Sequence, residues 1–361
     1  MYTVDEDVNR RRRCGAPDPV LAERRIRSSP SAGSSPRRVA CSGSARTTYA
    51  RRVSFLVTVP TAELAADVIA RGPLPDGVEV RVWDMATPPP AQRIDIVVPS
   101  YLGRQHLTAL ADLDVGLVQG QMIGYEAVID RIPSGIPFAN AASVHEPATA
   151  ELALALTLAA QRELPRFVRA QDAGVWDRAF TSSLADRRVL LVGIGGVGTA
   201  VARRLAGFEV AVTAVGQTAR TEVVEGLGEI AVHALADLPT LLPEAEIVIL
   251  SLPGGPATHR LFDAAMLARM ADGALLVNVG RGTLVDTDAL VAENGRIRAA
   301  LDVMDPEPLP EGHPLWTTPG VLFTPHVGGA STAMNPRIAA LVRTQIDRML
   351  AGEEPANLIP R

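Results

Sequence analysis

Arg188-Val189-Leu190-Leu191-Val192-Gly193-Ile194-Gly195-Gly196-Val197-Gly198 is the stretch whose reading decides the fold. A short apolar run stops at Gly193-x-Gly195-x-x-Gly198, and a helical pattern over Thr199 to Leu205 follows. Strand, glycine turn and helix in that order form a dinucleotide-binding unit. Gly193 allows the tight turn, Gly195 lets backbone approach a diphosphate, and Gly198 lets helix pack on strand. The helix start offers unpaired N–H groups and a positive dipole end to phosphates. Glycine turns also serve as plain packing devices, so the position directly after an apolar strand is what favours the dinucleotide reading.

Downstream, Glu209 to Val215 reads as the next strand. A fold that prefers NAD usually places an acid at this strand's end, on the ribose hydroxyls. Here Gly216-Gln217-Thr218-Ala219-Arg220 follows, and the first acid is Glu222. Thr218 and Arg220 suit a 2′-phosphate instead, which predicts NADP preference or dual use. The alternative is that Arg220 is a solvated loop residue and NAD still binds.

Ile247 to Pro253 is a further buried strand, followed by a helix over Ala264 to Met270. The strand Ala274 to Gly280 delivers Arg281, flanked by Gly280 and Gly282. Ala299-Ala300-Leu301 delivers Asp302, with Glu307 five residues on. Leu322 to Pro325 delivers His326, followed by Gly328 and Gly329. In a parallel sheet these strand ends share one edge, so one arginine, two acids and one histidine converge near the glycine turn. Each alone is more often structural; their convergence favours function.

Upstream, Val53 to Val57, Val78 to Val82, Ile94 to Val98 and Val115 to Val118 read as strands. Helical patterns lie at Thr61 to Ile69, near His106 to Leu110, and at Tyr125 to Ile132. Alternating strands and helices predict a second parallel sheet covered on both faces. Met122-Ile123-Gly124 follows a strand end, where free N–H groups can grip a carboxylate or simply form a βα loop. A long helical run, Glu146 to Gln171, bridges the two halves, and His145 just before it reads as a capping or surface residue.

With 361 residues and 47% hydrophobic content, the chain has room for two ordinary domains. No apolar run reaches the ~20 residues of a membrane span. The only cysteines are Cys14 and Cys41, so the body beyond them has no disulfide scaffold or thiolate metal site. Lysine is absent, which excludes Schiff-base and Walker-A chemistry. Residues 1–52 hold 12 arginines against 5 acids, a net of +7 that leaves −12 on the remainder for the chain's −5. Arg10 to Arg13 raise nucleic-acid binding or twin-arginine export, but no apolar segment follows. The segment reads as a disordered tail or an over-extended start.

The chain resembles the D-isomer-specific 2-hydroxyacid dehydrogenase family from about Val53 onward. Four motifs carry the resemblance: the glycine turn 193–198; Ala274-Leu275-Leu276-Val277-Asn278-Val279-Gly280-Arg281-Gly282-Thr283-Leu284-Val285-Asp286; Leu301-Asp302-Val303-Met304-Asp305-Pro306-Glu307-Pro308-Leu309-Pro310; and Thr324-Pro325-His326-Val327-Gly328-Gly329. The resemblance implies two Rossmann/flavodoxin-like parallel-sheet domains. A dinucleotide domain, 148–327, is inserted into a substrate domain formed by 53–147 and 328–361. It implies Arg281, Glu307 and His326 as the catalytic trio and no metal. Candidate cofactor contacts are Gly193, Gly195, Gly196, Val197, Gly198, Gln217, Thr218, Arg220, Val279, Gly280, Asp302, Gly328 and Gly329. Among them Asp302 would hold the nicotinamide carboxamide. Met122, Ile123 and Gly124, though not a strict copy, would bind the substrate carboxylate with Arg281. The clearest departure is the missing acid after the strand ending at Val215.

A 2-oxo acid presents a carboxylate beside a carbonyl. Arg281 can fork the carboxylate and polarise the carbonyl oxygen. His326 can supply the proton that the developing alkoxide needs, and Glu307 beside it would favour the imidazolium and fix the tautomer. The leading expectation is a cytoplasmic homodimeric NAD(P)-dependent reductase of glyoxylate or hydroxypyruvate, with NADP favoured and neither nucleic acid nor membrane as partner. A phosphoglycerate dehydrogenase is the nearest rival. It would want an added regulatory domain, for which no chain is expected after Arg361, and cleft basic residues, for which Arg104 is the candidate. A formate dehydrogenase would resemble the family with Gln at 307. A dinucleotide-sensing corepressor is the non-enzymatic alternative, expected to show an exposed apolar patch in its first domain.

Overall fold

Two sheets organise the chain, and their central strands bury apolar side chains on both faces. The computed structural model describes residues 55–101, 106–126 and 128–360, which fall in one compact unit. The tail expected over 1–52, with its arginine run and both cysteines, lies outside the described residues, as do Val53, Ser54 and Arg104.

The first sheet takes β1 (Phe55–Val59), β2 (Val78–Val82), β3 (Arg93–Val97), β4 (Asp114–Gln119) and the two-residue β5 (Phe138–Ala139). Their order is β2-β1-β3-β4-β5, all parallel, a flavodoxin-like arrangement. Helix α1 (Ala62–Ala70) starts where the Thr61 hydroxyl accepts the Leu64 N–H at 3.2 Å. The segment near His106 is a 3₁₀ helix, Leu107–Asp112. The helix expected over Tyr125 to Ile132 does not form: a single 3₁₀ turn, Ile129–Arg131, stands there. Pro133 disfavours the helical region for Ile132, which is extended at φ −80° and ψ 127°.

The run expected as one helix over 146–171 is two, α2 (Glu146–Gln161) and α3 (Leu164–Asp172). Glu163 between them is left-handed at φ 50°. Pro165 cannot donate to the preceding turn, and its ring would press on the carbonyl four residues back.

The second sheet holds β6 (Arg188–Val192), β7 (Ala211–Gly216), β8 (Arg220–Val224), β9 (Gly228–Ala234), β10 (Ile247–Leu250), β11 (Leu275–Asn278), β12 (Arg298–Leu301) and β13 (Val321–Phe323). The order is β13-β12-β11-β10-β6-β7-β9-β8. All pairs are parallel except β8–β9, an edge hairpin for which the sequence pattern predicts no strand. β7 begins two residues later than expected because Glu209 is left-handed. Helix α4 (Gly196–Leu205) follows β6, and α5 (Leu238–Leu241), α6 (Ala264–Leu267) and α7 (Thr287–Ala292) are short. α6 is one turn where a helix to Met270 was expected.

Along β6, Val189 and Leu191 join a core with Ala153, Leu154, Val201 and Leu205 from α2 and α4. Leu190 and Val192 turn to the other face, with Phe262, Leu267 and Leu290. A strand with both faces covered must be apolar throughout, as this one is. The last helix, α8 (Met334–Leu350), returns to the first sheet, where Ile338, Val342 and Ile346 pack with Val57, Val59 and Val68. No helix among the described residues is long and apolar enough to cross a membrane.

Candidate active site

The second sheet reverses its strand order between β6 and β10, which pair directly. Ligands of open α/β sheets sit beyond the strand ends at such a point. Gly193 turns there with φ 105°, and the Ser251 hydroxyl donates to its carbonyl at 2.9 Å. A side chain at Gly198 would collide with that same carbonyl. Gly195 and Gly196 are exposed, and open space lies where a Cβ on Gly195 would stand. Gly195 N-caps α4 without a side-chain bond to its N–H groups. An uncapped ten-residue helix start with open space above it fits a dinucleotide diphosphate.

The other end of the dinucleotide would lie along β10 to β13. Asn278, fully buried at the end of β11, shapes the loop that carries Arg281. Its side-chain amide donates to Arg281 O at 2.9 Å, and its oxygen accepts the Gly280 N–H at 3.1 Å. Gly280 and Gly282 are tight approaches, the first against Leu252 and the second against Met304 and Asp305. Arg281 Nη1 donates to Gly280 O at 2.8 Å. Its guanidinium crosses to the loop after β4, where a Cβ on Gly124 would overlap Nη2. Glu126, two residues on, pairs with Nη2 at 3.5 Å. The Met122 and Ile123 carbonyls are fixed by the Ala141 N–H at 2.9 Å and the Asn140 amide at 2.8 Å.

His326 follows β13. Its Nδ1 lies 2.6 Å from Glu307 Oε1, and both side chains are roughly half exposed. Its backbone is left-handed at φ 53°, a conformation that costs a non-glycine residue ~1 kcal/mol or more. Asp302 supports it. The His326 N–H donates to Asp302 O at 2.8 Å. The buried Asp302 carboxylate accepts from Thr324 Oγ1 at 2.6 Å and from the Val327 and Gly328 N–H groups at 2.8 Å each. These bonds make Asp302 a clamp on the histidine turn. The Gly328 N–H is committed to it, and a Cβ on Gly329 would press on His145 and Tyr101.

At the end of β7, Gln217 and Thr218 are exposed. Arg220 lies back over Gly216, where a Cβ would stand 3.0 Å from Nη1, and pairs with Glu222 at 2.8 Å. Val279 is buried.

His145 is neither a side-chain cap nor a surface residue. It is buried, with Nε2 2.5 Å from Gln121 O and Nδ1 3.2 Å from Gly329 O, joining the end of β4 to the turn after β13. Tyr101 stands beside it, ring centroids 6.0 Å apart. Burial, and then the Asp302 carboxylate, hold the Tyr101 phenol above its ordinary pKa. Sequence reading missed Glu126, Tyr101 and the His145 bridge. Only Glu126 carried a signal, its position two residues past Gly124.

Residues 154–328 match the family model described as D-isomer specific 2-hydroxyacid dehydrogenase, NAD binding domain. The chain is 32% identical over 234 residues to a glyoxylate reductase of Thermofilum pendens, covering 62% of this chain and 68% of that one. It is 32% identical over 248 residues to glyoxylate/hydroxypyruvate reductase B of Pectobacterium atrosepticum, 66% and 76% respectively. A crystal structure of a D-isomer specific 2-hydroxyacid dehydrogenase from Xanthobacter autotrophicus, in complex with NADPH and MES, superposes with TM-score 0.70 at 29% identity. That match covers 85% of this chain and 98% of the other. Sheet order, glycine turn and sequence likeness agree, and the chain belongs to the D-isomer-specific 2-hydroxyacid dehydrogenase family of NAD(P)-dependent oxidoreductases.

Proposed function

We propose that this chain reduces a small 2-oxo acid, of the glyoxylate or hydroxypyruvate type, to the D-2-hydroxy acid, with NADP(H) favoured over NAD(H). The observation that carries the reading is the seat of the Arg281 guanidinium against Gly124, on the sheet edge that also bears the His326–Glu307 pair. The named activities of the Thermofilum and Pectobacterium relatives support the substrate class.

When bound, the reduced nicotinamide supplies a hydride to the carbonyl carbon. Arg281 forks the substrate carboxylate and draws charge toward the carbonyl oxygen. The backbone of Met122, Ile123 and Gly124 closes on the same carboxylate. Glu307 holds His326 Nδ1, so Nε2 faces the substrate and gives its proton to the oxygen as the alkoxide forms. In the oxidative direction Nε2 takes the hydroxyl proton. Glu307 fixes the ring and its tautomer, and Asp302 fixes the backbone beneath it.

NADP preference rests on two observations: β7 ends without an acid, and Arg220 folds over Gly216. The NADPH in the Xanthobacter relative is consistent with it. The division of labour we propose follows the sheets, with 53–147 and 328–361 holding substrate and 148–327 holding cofactor. We also propose a cytoplasmic homodimer. Val175, Trp176 and Phe180, all strongly exposed between α3 and β6, support a self-associating face on the cofactor half.

A panel of 2-oxo acids assayed with NADPH and with NADH tests the reading. Turnover of glyoxylate or hydroxypyruvate with NADPH ahead of NADH is expected. Strong NADH preference refutes the cofactor assignment, and no turnover of any 2-oxo acid refutes the activity.

A further inference from the structure

Glu146, the first residue of α2, holds one of two buried side-chain polar atoms without a hydrogen-bond partner among the described residues. Its Oε1 accepts the Ser143 N–H at 2.6 Å, and Ser143 is left-handed at φ 76° to present it. Its Oε2 is buried and unpartnered. The side chain lies against the glycine turn: a Cβ on Gly196 would stand 2.9 Å from Glu146 Cγ and 2.9 Å from Oε1. The room left by a missing side chain at 196 is thus taken by a carboxyl group from another helix.

A buried acceptor with no donor is costly, and native structures leave few of them. What completes this one must carry a hydrogen to donate. A diphosphate is an acceptor and cannot serve. Of the donors on a dinucleotide, the adenosine end belongs beyond β7, beside Gly216. Glu146 enters from α2, which packs with α4 and with β11 and β12 on the opposite side of the turn. The hydroxyls next to the diphosphate on that side are those of the second ribose.

We propose that Glu146 is a cofactor-contacting residue whose Oε2 accepts a hydrogen bond from the ribose on the nicotinamide side of the diphosphate. The proposal rests on the dinucleotide reading of the glycine turn. Glu146 touches no reacting atom; it fixes the sugar, and through it the direction in which the nicotinamide points.

Calorimetric titration with two ligands separates this from a scaffolding role. ADP-ribose carries the second ribose and ADP does not. Glu146→Ala is expected to weaken ADP-ribose binding about tenfold to a hundredfold, the loss of one charge-assisted hydrogen bond, and to leave ADP within about twofold. Glu146→Gln keeps a hydrogen-bonding terminus of the same size and recovers most of the loss. Unchanged ADP-ribose affinity in both variants overturns the proposal. So does equal weakening of both ligands, which marks a structural prop, or tighter binding of both, which marks a carboxylate that opposes the diphosphate. A wild-type chain that binds neither these ligands nor their 2′-phosphorylated forms refutes the dinucleotide reading itself, and the proposal with it; a wild-type chain that binds both while the variants match it refutes the proposal alone.

Discussion

Gly124→Ala tests the joint between the two sheets with one methyl group. Gly124 needs no special backbone angle, since its φ lies outside the left-handed range, so alanine carries no conformational penalty there. The new Cβ would overlap Arg281 Nη2 and stand 2.9 Å from Cζ, and the guanidinium must retreat until ordinary contact at 3.4 Å or more is restored. The obstacle is the far end of a flexible side chain, so the fold gives way cheaply. We expect the melting temperature to move by less than about 2 °C, a change of at most about 1 kcal/mol. Catalysis does not give way cheaply. A displacement of about 1 Å at a substrate-holding group costs about 100-fold, close to 2.7 kcal/mol of transition-state stabilisation. Steady-state kinetics with glyoxylate and NADPH read the loss in kcat/KM, and calorimetry with NADPH alone reads an unchanged Kd. Normal kcat/KM in the alanine variant would refute the placement of Arg281 on the substrate. A loss of activity matched by a loss of folded protein would refute the claim that the methyl acts only on the Arg281–Glu126 pair, whose carboxylate oxygen it would meet at 3.0 Å.

Glu126→Gln should lower KM for the 2-oxo acid by about 1.4- to 5-fold, because a half-exposed pair of this kind is worth about 0.2–1 kcal/mol and the substrate carboxylate must displace it. The gain should shrink at high salt, and a raised KM would show that Glu126 positions the arginine instead of competing for it. Arg220→Ser should weaken NADPH about tenfold and leave NADH unchanged, whereas Glu222→Gln should tighten NADPH by freeing the guanidinium; equal effects on both coenzymes in titrations would contradict the 2′-phosphate assignment. Replacing Trp176 and Phe180 with Asp should convert a dimer to monomer by light scattering, and an unchanged mass would move the interface elsewhere.

How much of this the sequence disclosed depends on the range of the physics involved. Apolar alternation announces a strand locally, and Val78–Val82, only partly buried at the edge of its sheet, matches its expected bounds to the residue. Arg281, Asp302 and His326 share one edge because β11, β12 and β13 end one to three residues before them. The long helix over 146–171 was misread because its alanines and leucines outvoted Pro165, whose backbone effect is stereochemical and leaves the apolar pattern intact. The β8–β9 hairpin escaped because an exposed edge ribbon such as Arg220–Val224 has only Val224 buried and so carries little apolar signal. Asp302 shows the limit at the site. Its type and place were legible, but its four bonds to the histidine turn come from residues 22 to 26 positions away, and no local pattern encodes them. The Glu126 pair, the His145 bridge and the unpartnered Glu146 oxygen likewise arise only when distant segments meet.

Single-turnover reduction of glyoxylate by NADPH in a His326→Ala variant bears most directly on the reaction centre. The rate should fall about 100- to 10,000-fold, the contribution of a positioned general acid, while the NADPH Kd and the melting temperature stay at wild-type values. A variant that turns over within a few fold of wild type would remove His326, and with it the Glu307 pair, from the chemistry.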